Sequence, residues 1–252
     1  MNETVVLIHG SGDSAEIWGK TKTLLEKCYN CYAISFSNPY GSPEDQALEL
    51  EKFLKDKKQP INLVAFSLGG LSARKYITNH PTDNRIKKLI LLSAPNLGIP
   101  ALYLNFVPAA LIIISILGLI IERSLLFLPF LLIGVGIELL CYLRKAVLLS
   151  PSAFAMRPDS NFIKELNRQH LPEQMEYISI LDNTKEFWHR LANYLFLYFE
   201  GDGVIPLSSQ KLSQRCVPNF SKIQYKELLI DLPHFEIPYQ AGETILDALT
   251  QP

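Results

Sequence analysis

Residues 61–70 read Ile-Asn-Leu-Val-Ala-Phe-Ser-Leu-Gly-Gly, and this stretch contains the change of pattern that decides the fold. The apolar run at 61–66 predicts a buried strand, and the residues after it predict a helix that continues to about Asn79. A strand that passes straight into a helix must turn sharply, and small residues such as Gly69 let the two elements approach closely. The pattern predicts that Ser67 lies at the tip of a strained turn with its hydroxyl exposed, an arrangement called a nucleophile elbow.

A glycine-rich turn follows another apolar run near the N-terminus, where residues 5–12 read Val-Val-Leu-Ile-His-Gly-Ser-Gly. The run predicts a second buried strand. Where a nucleophile elbow is present, one oxyanion-binding N–H comes from the residue after the serine and another from an early loop of this kind. We therefore expect an oxyanion hole made of the backbone N–H groups of Ser11 and Leu68.

Two residues late in the chain complete a catalytic set with Ser67. Asp202 lies within the turn sequence Gly-Asp-Gly-Val-Ile-Pro, and His234 follows a strand-like run at 222–228. A serine hydroxyl is a poor nucleophile until an imidazole takes its proton, and a carboxylate must fix the tautomer of that imidazole. The pattern therefore predicts a triad of Ser67 as nucleophile, His234 as base and Asp202 as acid.

Taken together, these motifs resemble those of α/β-hydrolases of the lipase and esterase type, which share the order Ser, Asp, His. The likeness includes the His-Gly turn, the elbow, the acid loop followed by Ser208 and Ser209, and Ser-Ala-Pro-Asn-Leu-Gly at 93–98. Two positions depart from the family pattern, since Ala65 replaces the usual first glycine of the elbow and Asn96 stands where a histidine is often found. The resemblance implies ester hydrolysis without a metal or an organic cofactor.

Two other carboxylates compete with Asp202 for the role of acid. Asp231 lies three residues before His234, and Asp182 follows a strand-like run at 177–181. The resemblance places the acid after the penultimate strand, and either 177–181 or 194–199 fits that description. Asp202 is preferred because of its glycine-rich turn.

The rest of the chain predicts one α/β domain over residues 1–252. Short apolar runs at 4–8, 31–36, 61–66 and 86–92 alternate with amphipathic helix-like segments, and strand-like runs resume at 177–181, 194–199 and 223–228. Such alternation is typical of a mostly parallel sheet with helices on both faces. The fold class predicted is α/β, of the α/β-hydrolase type, with an inserted lid or cap at 99–175.

This insertion contains two long apolar runs. Residues 102–121 hold no charged residue, and Glu138 is the single charge in 124–143. Each run has about the 20 residues that cross a bilayer, and a helix that is apolar all round belongs in lipid or in a thick protein core. We expect a membrane-embedded or interfacially inserted helical hairpin at about 102–149, with a soluble cap over the active site as the alternative.

Location and partners follow from charge and cysteine content. The first strand begins too early to leave room for a cleaved signal peptide, so we expect the cytoplasmic side of a membrane, with a soluble cytoplasmic protein as the alternative. Lys plus Arg total 24 against 25 for Asp plus Glu, which does not favour nucleic acid. The four cysteines lack the spacing of a disulfide framework, and Cys28 and Cys31 lack a second pair to complete a zinc site.

The predicted substrate is a lipid-like acyl ester, delivered from a membrane. An acyltransferase or a thioesterase would use the same triad, so the residues do not separate these activities. A catalytically silent, membrane-anchored interaction module is a third hypothesis. The complete set of Ser67, Asp202 and His234 argues against it.

Overall fold

The computed structural model describes residues 3–100, 150–186 and 200–250, together with Leu102, Ile116, Leu132 and Arg190. Within these ranges the chain forms a six-stranded sheet in which every neighbouring pair is parallel, with the order β2-β1-β3-β4-β5-β6. The strands are β1 (Thr4–Ile8), β2 (Asn30–Ile34), β3 (Ile61–Phe66), β4 (Ile86–Leu92), β5 (Glu176–Asp182) and β6 (Gln224–Ile230).

Several helices of the described ranges begin at a serine that caps them. The side chains of Ser42, Ser150 and Ser160 each accept a hydrogen bond from a backbone N–H in the first turn, which satisfies a donor that the helix itself leaves free. The helices are α1 (Gly19–Leu25), α2 (Pro43–Leu54), α3 (Leu68–Asn79), α4 (Pro151–Ala155), α5 (Asn161–Leu166), α6 (Leu207–Gln210), α7 (Ile237–Gln240) and α8 (Gly242–Thr250). Short 3-10 helices lie at Ala15–Trp18, Phe220–Lys222 and His234–Glu236.

The sheet is covered on both faces, as the uninterrupted apolar runs predict. All of β1 is buried, with Val6 on one face and Leu7 on the other. Residues of α2 and α3 pack on the first face, and residues of α1, α7 and α8 pack on the second. The predicted mostly parallel sheet with helices on both faces is therefore correct.

Several sequence predictions lie wholly or partly outside the described residues. The strand predicted at 194–199 is among them, as is all of the hairpin predicted at 102–149 except Leu102, Ile116 and Leu132. Among the described residues, no helix combines the length and the apolar character needed to cross a membrane. Because β5 pairs directly with β6, the run predicted at 177–181 is the strand next to the last in this sheet.

The topology brings the predicted site residues to one edge of the sheet. In parallel strands all carboxyl ends lie on the same side, and ligands of such folds bind beyond that edge. Ser67 directly follows β3, the His9 turn directly follows β1, and His234 comes shortly after β6.

Candidate active site

Ser67 occupies the sharp turn between β3 and α3. Its φ of 50° and ψ of −123° are unusual for a residue other than glycine and store strain of about 1–3 kcal/mol. A Cβ on Gly69 would lie 2.4 Å from the His9 carbonyl oxygen, and one on Gly70 would lie 2.5 Å from the Ala94 Cβ. Both positions must therefore be glycine, because the helix enters the turn too close to its neighbours for a side chain.

The Ser67 residue as a whole is largely buried. Ser67 is only 7% exposed, because other loops at the same sheet edge pack against the elbow. A Cβ on Gly10 would lie 3.1 Å from the Ser67 Cβ, and the His234 Nε2 lies 3.3 Å from the Ser67 Oγ.

His234 connects Ser67 to Asp202. Its Nε2 lies 3.3 Å from the Ser67 Oγ, and its Nδ1 lies 2.5 Å from the Asp202 Oδ2. An ionised carboxylate can only accept hydrogen bonds, so Nδ1 carries the hydrogen and Nε2 is left to accept the serine proton. His234 is 3% and Asp202 0% exposed. A buried base that is hydrogen-bonded to a buried carboxylate is suited to activating a nucleophile.

The Asp202 carboxylate is held by its own loop. Its Oδ1 accepts the backbone N–H groups of Val204 at 2.9 Å and Ile205 at 2.7 Å, which leaves Oδ2 for the histidine. The flanking Gly201 and Gly203 have φ values of 153° and 90°, which permit this tight turn. The glycines that made Asp202 conspicuous in the sequence thus shape the loop that aims its carboxylate.

Neither rival carboxylate has a hydrogen bond to His234. Asp182 is buried at the end of β5, where its Oδ1 accepts the Leu232 N–H at 3.1 Å and its Oδ2 has no hydrogen-bond partner within the described residues. Burial, reinforced by the negative charge of Asp202, raises the pKa of Asp182 to about 7. Asp231 is exposed and pairs with Lys185 instead.

The predicted oxyanion turn is oriented by a buried histidine. The Nε2 of His9 accepts the Phe36 N–H at 3.2 Å, so the ring hydrogen is on Nδ1 and is donated to the Gly10 carbonyl oxygen at 2.7 Å. Burial lowers the pKa of His9 and keeps it neutral. Because the Gly10 carbonyl and the Ser11 N–H belong to one peptide group, fixing the first also fixes the second. The other predicted donor, Leu68, begins α3 directly after Ser67.

Sequence reasoning missed the side chains that anchor the acid loop. The buried amide of Gln210 accepts the Asp182 N–H at 2.6 Å and donates to the Ile205 carbonyl at 3.1 Å. Ser209 donates to the Gly98 carbonyl at 2.7 Å, and Asn96 donates to the Gln210 carbonyl at 2.8 Å. The paired serines were a sequence signal for this contact, whereas nothing in the local pattern marked Gln210.

The segments before and after the predicted hairpin at 102–149 lie together near the elbow. The Ile99 N–H donates to the Met156 carbonyl at 2.8 Å, so the segments on either side of the predicted hairpin are adjacent. Leu102 packs against an apolar cluster that includes Leu68 and Leu71. The insertion therefore starts within the apolar surroundings of Ser67.

The cysteines of the described ranges are free thiols. They are Cys28, Cys31 and Cys216, and burial raises the pKa of Cys31 to about 12, so this thiol is protonated at neutral pH. Within the same ranges, no group of three or more His, Cys, Asp or Glu side chains is arranged to hold a metal ion. Cys141 lies outside the described residues.

Comparisons with known proteins agree with the fold. The model of the palmitoyl protein thioesterase family matches residues 4–116, less than half of the chain. The lipase BlEst2 of Bacillus licheniformis in its mature form is 14% identical, with a TM-score of 0.67 over 99% of this chain and 93% of that one. The esterase EaEST of Exiguobacterium antarcticum is 16% identical, with a TM-score of 0.59 over 100% of this chain and 94% of that one. No curated protein matches the sequence.

The chain has the α/β-hydrolase fold. The solved structures that it resembles include a lipase and an esterase, in line with the resemblance that the sequence motifs predict.

Proposed function

We propose that this protein is a serine hydrolase that cleaves the carboxylic esters of lipid-like acyl compounds, as a lipase or esterase. The observation that carries the proposal is the bridge made by His234, which lies 3.3 Å from the Ser67 Oγ and 2.5 Å from the Asp202 Oδ2. Such a bridge supplies a base for the serine proton and a carboxylate that stabilises the resulting imidazolium. The strained turn at Ser67 supports the same role, since strain of this kind concentrates at functional sites.

In this mechanism Ser67 attacks the carbonyl carbon of the ester while His234 takes the serine proton. The carbonyl oxygen becomes an oxyanion, which the N–H groups of Ser11 and Leu68 stabilise by about 3 kcal/mol per donor. His234 then gives its proton to the leaving alcohol, and an acyl group remains on Ser67. Water, deprotonated by His234, attacks the acyl group, and the proton returns to Ser67 as the acid product leaves.

The surroundings of Ser67 support an apolar acyl group. Leu68, Leu71, Ile99 and Ile205 form a buried cluster next to the elbow, and Leu102 packs against it at the start of the insertion. Leu102 and Val204, the partly buried residues that pack against this cluster, offer apolar contacts that a long acyl chain could use and a small soluble ester would not need. The uncharged runs that follow support delivery of the substrate from a membrane, and a soluble cap over the site is the alternative.

Thioester hydrolysis is a second candidate, supported by the match to the palmitoyl protein thioesterase family over residues 4–116. The acyl-enzyme would be the same, and the leaving group would be a thiolate in place of an alcohol. Parallel assays with one acyl chain, carried on an oxygen ester and on a thioester, would rank the two activities by kcat/KM.

The test of the proposal is labelling by a fluorophosphonate, followed by hydrolysis of esters of graded chain length. The wild-type protein should be labelled, and Ser67→Ala should lose both labelling and turnover while keeping its circular dichroism spectrum. The matched control is Ser72→Ala, which removes another buried serine hydroxyl, bonded to the Gln46 Oε1 at 2.9 Å, and should still be labelled. Labelling of Ser67→Ala at the wild-type level would show that another residue is the nucleophile, and a wild-type protein that is never labelled would favour the silent module.

A further inference from the structure

Three serine hydroxyls form a chain that reaches the predicted oxyanion turn. The Ser11 Oγ lies 2.8 Å from the Ser152 Oγ, which in turn lies 2.8 Å from the Ser150 Oγ. Ser152 is 0% and Ser150 4% exposed. This chain of hydroxyls therefore connects the turn after β1 to the start of α4, the first helix after the predicted hairpin at 102–149.

Ser152 is itself held firmly in place. The Ser150 Oγ caps α4 by accepting the Ala153 N–H at 3.2 Å, and Pro151 occupies the first helical turn, where its fixed φ favours the helix. The Ser152 N–H donates to the Tyr40 carbonyl oxygen at 3.2 Å. A side chain fixed by both its helix and a neighbouring loop is a rigid partner for Ser11.

Other contacts restrain the turn around Ser11. The Gly12 N–H donates to the Pro39 carbonyl at 2.9 Å, and His9 holds the Gly10 carbonyl at 2.7 Å. These bonds orient the peptide groups on either side of Ser11. The contact from Ser152 acts on the Ser11 side chain. It therefore limits the movements of Ser11 that the two hydrogen bonds to its neighbouring peptide groups still allow.

We propose that Ser152 is a positioning residue for the oxyanion turn, which acts by holding Ser11 so that its N–H points to the oxyanion formed at Ser67. This inference rests on the proposed hydrolase function. Oxyanion donors accelerate a reaction because they are oriented before charge develops, and a small displacement removes much of that benefit. The interaction matters most in the transition state, so losing it lowers kcat more than it changes KM.

The test compares Ser152→Ala with the wild type in the hydrolysis of a p-nitrophenyl ester. We expect kcat to fall by about tenfold to a hundredfold while KM changes by less than about twofold. The affinity for a trifluoromethyl ketone, which forms an oxyanion on Ser67, should fall by a similar factor. The control is Ser160→Ala, which removes another serine hydroxyl near a helix start, one that accepts the Ile163 N–H at 3.1 Å and has no contact with Ser11, and it should keep the wild-type kcat.

A double-mutant cycle separates positioning from a general effect on the structure. Ser11→Ala keeps the Ser11 N–H but removes the same hydroxyl contact, so Ser11→Ala/Ser152→Ala should lose no more kcat than Ser152→Ala alone. Additive losses, or a Ser152→Ala enzyme with wild-type kcat and ketone affinity, would overturn the proposal. A wild-type protein without turnover or labelling would overturn the proposed function as well, whereas an active wild type with an unaffected Ser152→Ala would overturn this inference alone.

Discussion

Replacing Asp202 by Asn tests the proposed triad most sharply, because the structure dictates how the new amide must lie. The Asp202 Oδ1 accepts the N–H groups of Val204 and Ile205, so the amide oxygen of the introduced asparagine should take that position. The opposite orientation would leave the buried N–H of Ile205 and the part-buried N–H of Val204 facing an NH₂ group, at a cost of at least about 1–3 kcal/mol for the buried donor. The amide nitrogen of the new side chain therefore faces His234.

That orientation forces His234 into the wrong tautomer. The introduced amide donates to Nδ1, which must then be without hydrogen, so Nε2 carries the hydrogen and cannot take the proton of Ser67. The equivalent change in a serine protease lowers kcat by about ten-thousand-fold. We expect a loss of the same order here, which corresponds to about 5.5 kcal/mol of transition-state free energy.

The assay is kcat/KM for a p-nitrophenyl ester, with thermal unfolding to verify that the variants are folded. Asp182→Asn is the matched control, since it makes the same change at a buried carboxyl that is not hydrogen-bonded to His234, and it should retain activity within about tenfold of the wild type. An Asp202→Asn enzyme with near wild-type activity would refute the reasoning. A larger loss for Asp182→Asn than for Asp202→Asn would transfer the role of acid to Asp182 and leave the hydrolase proposal intact.

Two further predictions concern stability and membranes. Burial raises the pKa of Asp182 to about 7 in the folded protein, above a value of about 3.9 in the unfolded chain. The stabilisation that comes from protonated Asp182 is therefore fully present below pH of about 4 and is lost as the pH rises through about 7. Asn cannot ionise, so the Asp182→Asn variant does not lose this stabilisation. The melting temperature of the variant minus that of the wild type should therefore increase from pH 4 to pH 8. A melting-temperature difference that is the same at both pH values would contradict the prediction. The wild-type protein should sediment with membranes and resist carbonate extraction. Replacing residues 102–143 by a short Gly/Ser bridge should release a soluble domain. A fluorophosphonate should still label that domain, but the domain should lose the preference for long-chain esters. A wild-type protein found in the soluble fraction without detergent would favour the cap.

The sequence determined those features that depend on neighbouring residues. A parallel strand buried on both faces needs an uninterrupted apolar run, so the bounds of β1, β3 and β4 agree with the predicted 4–8, 61–66 and 86–92. The elbow at Ser67 was predictable for the same reason, because its turn requires small residues at fixed offsets. The glycines around Asp202 likewise marked the loop that holds its carboxylate.

The tertiary structure decided which distant groups meet. Asp182 is the last residue of β5, and Asp202 lies between β5 and β6 in the chain. Both are close to the same sheet edge, and the packing of the loops there determines that Asp202 is the one that contacts His234. No local pattern indicates the contact between Ser11 and Ser152, or the bonds through which Gln210 anchors the acid loop. Secondary structure leaves a repeating pattern in neighbouring residues, whereas a single hydrogen bond between remote segments depends on how whole elements pack and leaves no such pattern.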